Sequence, residues 1–319
     1  MNHGALDKTT AKGLKVLRER IAKAKIPSSK LDETLNIATW NIREFGKKAR
    51  LSSSIHYIAE IINQFDIVAI VELRDNLRDL EKVMQILGRY WKVVVSDYTA
   101  DRGGNLERIA YLYDKRAAVF TGLAAEPDGP RKKDKKTQEY LPEITWWRSP
   151  YMASFRAGHF DFIMLSAHIR WGSKEDERLK PLKMLAEWVY KRCKSRNVYD
   201  NDFIVMGDFN IPSINHKLYK AVTSKGLHMP KGLLKKEFGS NLAKDKRYDQ
   251  ILHTPMHESL FTEFGGVVDF YGSDHKPLFP GRSMTKTEFT YQLSDHLPLW
   301  IQLKIDSEDI KLNQILNKK

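Results

Sequence analysis

The sequence predicts an α/β protein built from mixed sheets with helices on the outside. Three observations carry this expectation. Nine short apolar runs rich in β-branched residues recur between Leu35 and Ile305. Stretches with helical spacing separate several of them, which is the pattern of α/β layering. Other runs follow one another with only turn residues between, so antiparallel pairing must be common.

Residues 1–33 carry eight Lys or Arg against four acids, with Leu14, Leu17, Ile21 and Ala24 at helical spacing. This reads as a basic amphipathic helix ending near Pro27 and Ser28, either capped onto the domain or left as a free arm. From residue 34 to 305 one catalytic domain is expected. Its runs are LNIATW, DIVAIVEL, WKVVVSD, IAYLYD, ITWW with MASF, FDFIMLSAHI, DFIVMGDF, YDQILH and LPLWIQLKI. Helices are expected at 54–63, 76–87, 179–194 and 214–225. The Pro/Gly-punctuated segment 127–142, with its run RKKDKK, and the basic segment 231–248 read as loops. Residues 306–319 are expected to form a tail.

Of the 319 residues, 42% are hydrophobic and 29% charged, a globular composition that excludes a disordered chain. No stretch reaches the roughly 18 consecutive apolar residues of a membrane span. The first twenty residues contain no apolar core of a secretory signal. Cys193 is the lone cysteine, which excludes a disulfide framework and any multi-cysteine metal site. A reducing cytoplasm and a monomeric state are therefore expected. Fifty-three Lys and Arg against forty Asp and Glu leave a net charge of +13, which favours a polyanionic partner such as nucleic acid.

The chemistry is concentrated where the runs end. LNIATW ends in Asn41, DIVAIV in Glu72, FIMLSA in His168 and FIVMG in Asp208-Phe209-Asn210; Asp249 opens QIL, and Ser294-Asp295-His296 precedes LPLWIQL. One polar strand end is ordinary, but six of this kind point to a shared site on one rim. Carboxylate and amide oxygens are hard ligands suited to Mg²⁺ or Mn²⁺. Imidazoles can stabilise charge growing on a phosphate, and a further carboxylate can act as general base on water. That inventory fits metal-assisted phosphoester hydrolysis. The GxSxG, HExxH, GxxxxGK[ST] and GxGxxG signatures are all missing from the sequence.

The strings TWN (39–41), VELRD (71–75), SAH (166–168), GDFN (207–210), YDQI (248–251) and SDHLP (294–298) occur in an order and spacing that resemble the endonuclease/exonuclease/phosphatase superfamily, particularly its deoxyribonuclease I-like nucleases. Arg148-Ser149-Pro150-Tyr151 is similar to an Arg-x-Pro-aromatic strand of those nucleases, and Leu106-Glu107-Arg108 to a strand bearing a glutamate. The resemblance spans about Asn36 to Lys304. It implies a four-layer α/β sandwich of two mixed, mainly antiparallel sheets packed face to face with helices outside. It also implies Glu72 as principal metal ligand with Asn41 and Asp295 beside it. Asp208 would then activate water, Asn210 position the phosphate, and His168 and His296 clamp it. By the same resemblance Asp249 would hold His296 as a charged donor, and Glu107 would do so for His168. Arg74, Asn105 and Arg148 become candidates for phosphate or groove contact.

Two features are read from the residues directly. Arg170-Trp171-Gly172 follows the His168 strand and can set a cation and a stacking ring beside a substrate. Asp274-His275-Lys276-Pro277 imitates SDHLP but lacks a following apolar strand, and reads as a loop. The expected activity is Mg²⁺-dependent phosphodiester hydrolysis of nucleic acid, DNA ahead of RNA, with Mn²⁺ as an alternative ion. Two readings stand beside it: a phosphatase or phosphodiesterase of the same fold acting on a small or lipid phosphate, and a non-catalytic nucleic-acid-binding protein.

Overall fold

The computed structural model describes residues 1–98, 105–129, 131–142, 146–234 and 238–306, with 312, 315 and 316 beyond them. In chain order the elements are α1 (Lys8–Ala22), β1 (Thr34–Phe45), α2 (Ser52–Ile62), β2 (Ile67–Leu73), α3 (Arg78–Leu87), β3 (Trp91–Val95) and β4 (Arg108–Asp114). β5 (Val119–Ala125), β6 (Arg131–Lys133), β7 (Tyr140–Pro142), β8 (Tyr151–Ala157), β9 (Phe160–His168), α4 (Leu179–Lys194) and β10 (Phe203–Asp208) follow. The chain closes with α5 (Lys217–Thr223), α6 (Lys231–Leu234), β11 (Asp249–His253), β12 (Phe261–Val267), α7 (Lys286–Gln292) and β13 (Leu299–Lys304).

Two mixed sheets result, one of six strands in the order β12-β13-β1-β2-β4-β3 and one of five in the order β11-β10-β9-β8-β5. Each contains one parallel pair, β1 with β2 and β9 with β10, and the remaining pairings are antiparallel. Each parallel pair is joined through a helix, α2 or α4, so both units carry their strand C-termini to the same side. One hydrophobic cluster draws on both sheets, with Leu35, Ile37, Val71 and Tyr111 from the first and Phe155, Phe162 and Val205 from the second. The other lies under α1, α2, α3 and α7 against Trp40, Ile42, Val68 and Ile70. This is the four-layer sandwich, with helices outside two facing sheets.

The alternation along the central strands decides which polar residues meet. In β1, Leu35 and Ile37 face the second sheet, and period-two alternation carries Asn41 to that same face. In β2, Ile67, Ala69 and Val71 face inward while Val68 and Ile70 face the helices, yet Leu73 also packs among the helices. The pairing with β4 slips between Ile70 and Leu73, and Glu72 sits in the left-handed region at φ 62°. Unbroken alternation would aim Glu72 at the helices. The irregularity brings it to the inner face instead, as bulges do beside active sites. Holding a non-glycine residue there costs on the order of 1 kcal/mol or more, which the packed strands on either side must offset.

The N-terminal helix starts at Asp7, whose side chain accepts from Thr10 N at 2.8 Å, and it buries Leu14, Leu17 and Ile21. Arg18 holds Glu60 of α2 at 2.7 Å. Several expectations need correction. Segment 127–142 is not simply a loop, because β6 and β7 form a hairpin in it; β6 is the charged Arg131–Lys133 and β7 only three residues, so neither leaves an apolar run in the sequence. Segment 231–248 opens with the short α6, and its residues 235–237 lie outside the described residues. The ITWW run is not seen as a strand: Trp146 and Trp147 sit in irregular backbone, and 143–145 are outside the described residues, as is nearly all of the expected tail. β5 and β12 escaped the reading because edge strands are poorly patterned and theirs contain Gly122, Gly265 and Gly266. α7 carries a capping box between Thr285 and Glu288, a helix-start signal present in the sequence.

The contact between α1 and the domain is close enough to test. A Cβ at Gly13 would lie 1.8 Å from the Tyr57 hydroxyl and 2.3 Å from the Leu278 carbonyl, which that hydroxyl donates to at 2.6 Å. Gly13→Ala is therefore expected to lower stability by about 1–3 kcal/mol in urea unfolding. An unchanged midpoint would mean that α1 does not pack there.

Candidate active site

The C-terminal ends of the two parallel pairs face each other across the inter-sheet seam. Asn41 and Glu72 come from the first sheet, His168 and Asp208 from the second. The Asn41 amide donates to Glu72 Oε1 at 2.9 Å and to Asp208 Oδ2 at 3.0 Å, so one buried side chain bridges the sheets. Glu72 Oε2 accepts from the Glu44 backbone N–H at 2.9 Å. Asp208 Oδ1 accepts from Asn210 N at 2.9 Å, and Asn210, itself left-handed at φ 53°, donates its amide to Ile169 O at 2.7 Å.

Two imidazoles flank Asp208. His168 Nε2 lies 3.6 Å and His296 Nε2 3.7 Å from Asp208 Oδ2. Behind each stands a carboxylate: Glu107 is 2.8 Å from His168 Nδ1, and Asp249 is 2.7 Å from His296 Nδ1. Both contacts also cross the seam. His296 is held from the other side by its backbone, since its carbonyl accepts from Trp40 Nε1 at 2.9 Å and its N–H donates to Ser294, whose hydroxyl binds Asn41 O at 2.6 Å.

Burial disfavours the charged form of each group, and the neighbours overcome it. For Glu72, burial pushes the carboxyl up, but His168, the Asn41 amide, the Glu44 N–H and His296 bring it down to about 2. Burial and Arg148 push His168 down, yet Glu107 and Asp208 leave it raised. Burial likewise opposes charge on His296, but Asp249, Asp208 and Asp295 hold it well above the ordinary histidine value.

A cleft of about 640 Å³ opens over these groups. Arg43, Glu44, Asn105, Arg148, Arg170 and Trp171 share its lining with Glu72, Glu107, His168, Asp208, Asn210, Asp295 and His296. Asn41 and Asp249 are buried behind that surface. Arg74 is buried too: its guanidinium reaches Glu107 at 3.3 Å and Asn105 at 3.1 Å, in the network behind His168 that also includes Arg148, 3.0 Å from Glu107. Asp295 lines the cleft with its carboxylate 3.6 Å from Arg43. His275 of the imitation motif stacks among Tyr271 and Phe289 and binds Met284 O at 2.7 Å, a structural role. Arg43, Tyr248 and Arg178 were not singled out from sequence. Tyr248 immediately precedes Asp249, and its ring lies 5.9 Å from that of His296.

The donor set fits a hard divalent cation. Asn41 meets the Glu72 carboxylate through its amide nitrogen, and its Oδ1 is buried with no hydrogen-bond partner, an unsatisfied hard oxygen that a cation would complete. Asp208, Asp249 and His296 also offer atoms within 4.8 Å of one another. An ion there would have to disrupt the 2.7 Å contact between Asp249 and His296, so Glu72 with Asn41 is the better pair.

A histidine held above its unfolded value adds stability that is complete below about pH 6.5 and is lost as pH rises through the folded value. In the metal-free protein, NMR titration of the imidazole carbons is expected to find His296 still protonated at neutral pH and to find its midpoint lowered in Asp249→Asn. A parent midpoint at or below 6.5 would contradict the pairing.

A model of the endonuclease/exonuclease/phosphatase family matches residues 38–296. No curated protein matches the sequence significantly. Among solved structures, D. rerio TDP2 complexed with a single-strand DNA product aligns with a TM-score of 0.56 at 13% identity, covering 85% of this chain and 98% of that one. The mannosyl-6-phosphatase of Bacteroides thetaiotaomicron aligns with a TM-score of 0.54 at 18% identity, over 84% and 99%. The human Nocturnin catalytic domain aligns with a TM-score of 0.53 at 14% identity, over 86% and 96%. At these identities the likeness is one of fold, and the family match spans most of the chain. The chain belongs to the endonuclease/exonuclease/phosphatase family, whose hydrolases are generally metal-dependent phosphoesterases.

Proposed function

We propose that this protein is a Mg²⁺- or Mn²⁺-dependent phosphodiesterase that hydrolyses nucleic acid, DNA ahead of RNA. In this reading residues 34–305 are the catalytic domain, 1–33 a basic helical extension and 306–319 a tail. The observation that carries it is Asp208 lying between two carboxylate-backed imidazoles, 3.6 and 3.7 Å away. Glu107 and Asp249 engage the Nδ1 atoms, which leaves each Nε2–H to donate toward a phosphate. Asp208, oriented by the Asn210 N–H and the Asn41 amide, takes the proton of the attacking water as the bond to the leaving oxygen breaks. Asn210 positions the phosphate. Glu72 and Asn41, with Asp295, hold the cation, which when bound supplies Lewis acidity at the phosphate. Arg74, Asn105 and Arg148 act through Glu107, which all three contact, although the Arg148 charge itself opposes protonation of His168.

The polyanion reading is supported by the net charge of +13 and by the exposed hairpin strand Arg131–Lys133.

Two tests follow from these roles. Asp208→Asn and His296→Ala are each expected to lose at least about 10²-fold in kcat while still binding DNA, and chelation to abolish turnover, with Glu72→Gln demanding more Mg²⁺ to recover it. Asp208→Asn cleaving at the parent rate would place the base elsewhere. Separately, reversing Lys132, Lys133, Lys135 and Lys136 to Glu is expected to flatten the dependence of log K on log salt, each lost phosphate contact removing about 0.9 from the slope on duplex DNA. An unchanged slope would leave the hairpin a merely solvated surface.

A further inference from the structure

We propose that the cleft accepts an unpaired nucleic-acid strand, because it is lined by an exposed, arginine-backed indole, Trp171, and because the cleft-lining Arg170 lies over a second indole, Trp147. The inference rests on the nucleic-acid reading above and adds the form of strand the cleft selects.

Trp171 lines the cleft and is 51% exposed. The Arg178 guanidinium lies 4.3 Å from its ring centroid, and Tyr248 meets it edge-on at 5.5 Å and 89°. Arg178 is itself buried and donates to the backbone carbonyl of Asn210 at 2.6 Å. Tyr248 in turn lies against His296. The indole is thus anchored through two contacts to residues assigned to the phosphate. Its loop is also fixed. Gly172 is left-handed at φ 72°, and Glu177 accepts from the Ser173 hydroxyl at 2.7 Å and from its N–H at 3.2 Å. On the neighbouring loop Trp147 is 48% exposed, with the Arg170 guanidinium 4.1 Å from its centroid.

Each indole therefore has a guanidinium over one face and about half of its surface open. Leaving such a ring in water forgoes apolar burial, and at a cleft it points to a ligand with a complementary face. Arginine over an aromatic face also strengthens a sequence-tolerant stacking platform. Bases inside a duplex have both faces covered by their neighbours and present only edges and phosphates. Unpaired bases have free faces, and stacking on an aromatic side chain is how single strands are gripped without sequence readout. Because Trp171 is pre-positioned, little ordering cost is incurred on binding.

The test is steady-state kinetics with Mg²⁺ on a labelled single-stranded DNA oligonucleotide and on the same sequence in a duplex scored at internal positions, using the full chain, Trp171→Ala and Trp171→Phe. The parent is expected to show a kcat/KM at least about tenfold higher on the single strand. Trp171→Ala should raise KM on the single strand about tenfold, in line with the loss of one base stack, with a smaller change in kcat. The strand-to-duplex ratio then moves toward one, and Trp171→Phe, which keeps a ring face, retains most of the preference. The inference is overturned if the parent cleaves the duplex as well as the strand, if Trp171→Ala loses equally on both, or if Trp171→Phe behaves as Trp171→Ala with unchanged thermal melts. Should Trp171→Ala fail to fold, the parent preference and Trp171→Phe decide the matter. A parent that cleaves neither form but releases phosphate from a sugar phosphate overturns the nucleic-acid reading itself, which is a different result from a nuclease indifferent to strand form.

Discussion

The seam between the two sheets is the constraint on which the rest of the site depends. Polar contacts that build the site cross it, among them the Asn41 amide to Asp208, Glu107 to His168, and Asp249 to His296. In each, one partner belongs to the six-stranded sheet or its flanking loops and the other to the five-stranded sheet. Neither sheet alone contains a complete pair. The hydrophobic packing of Leu35, Ile37 and Val71 against the opposite sheet is thus what sets the spacing of the polar rim. Buried polar groups tolerate little displacement before a partner is lost, so the rim and the core stand or fall together.

Backbone exceptions gather at the same place. Glu44, Glu72, Asn105 and Asn210 all have positive φ, and all line the cleft. Such conformations persist only where surrounding structure over-determines them. Gly207 shows how tight that surrounding is: at φ 127°, a Cβ on it would lie 2.1 Å from the Ala167 carbonyl of the neighbouring strand. The close approach of β9 and β10 that this allows sets Asp208 beside His168 in register. The string GDFN therefore combines a packing requirement at its glycine with polar groups at its aspartate and asparagine.

Much of this was legible in the sequence, for a physical reason. A strand that is apolar along its length and polar at one end marks a rim, so Glu72, His168 and Asp208 are legible near strand ends from the pattern alone, while β1 runs on past Asn41 to Phe45. The sandwich of two sheets and the pairing of particular carboxylates with particular imidazoles came from the resemblance, since contacts between residues 47 and 61 positions apart leave no periodic trace. The inward swing of Glu72 was not legible, because simple alternation along β2 points it the other way. The hairpin of β6 and β7 is hidden by the charge of β6 and by the three-residue length of both strands, and the edge strands β5 and β12 by their glycines. Arg74 was read toward a groove and instead lies buried against Glu107, a difference that depends on where the loop after β2 turns.

The central claim is that the seam organises a hard-oxygen centre at Glu72 and the unpartnered Asn41 oxygen, with the imidazoles and Asp208 left free to act on phosphate. The most direct measurement is anomalous diffraction from crystals soaked in Mn²⁺. The account predicts a peak about 2.1 Å from a Glu72 carboxylate oxygen and from Asn41 Oδ1, with the Asp249 to His296 contact intact. A peak lying between Asp249 and His296, or none beside Glu72 at a saturating concentration, would contradict it.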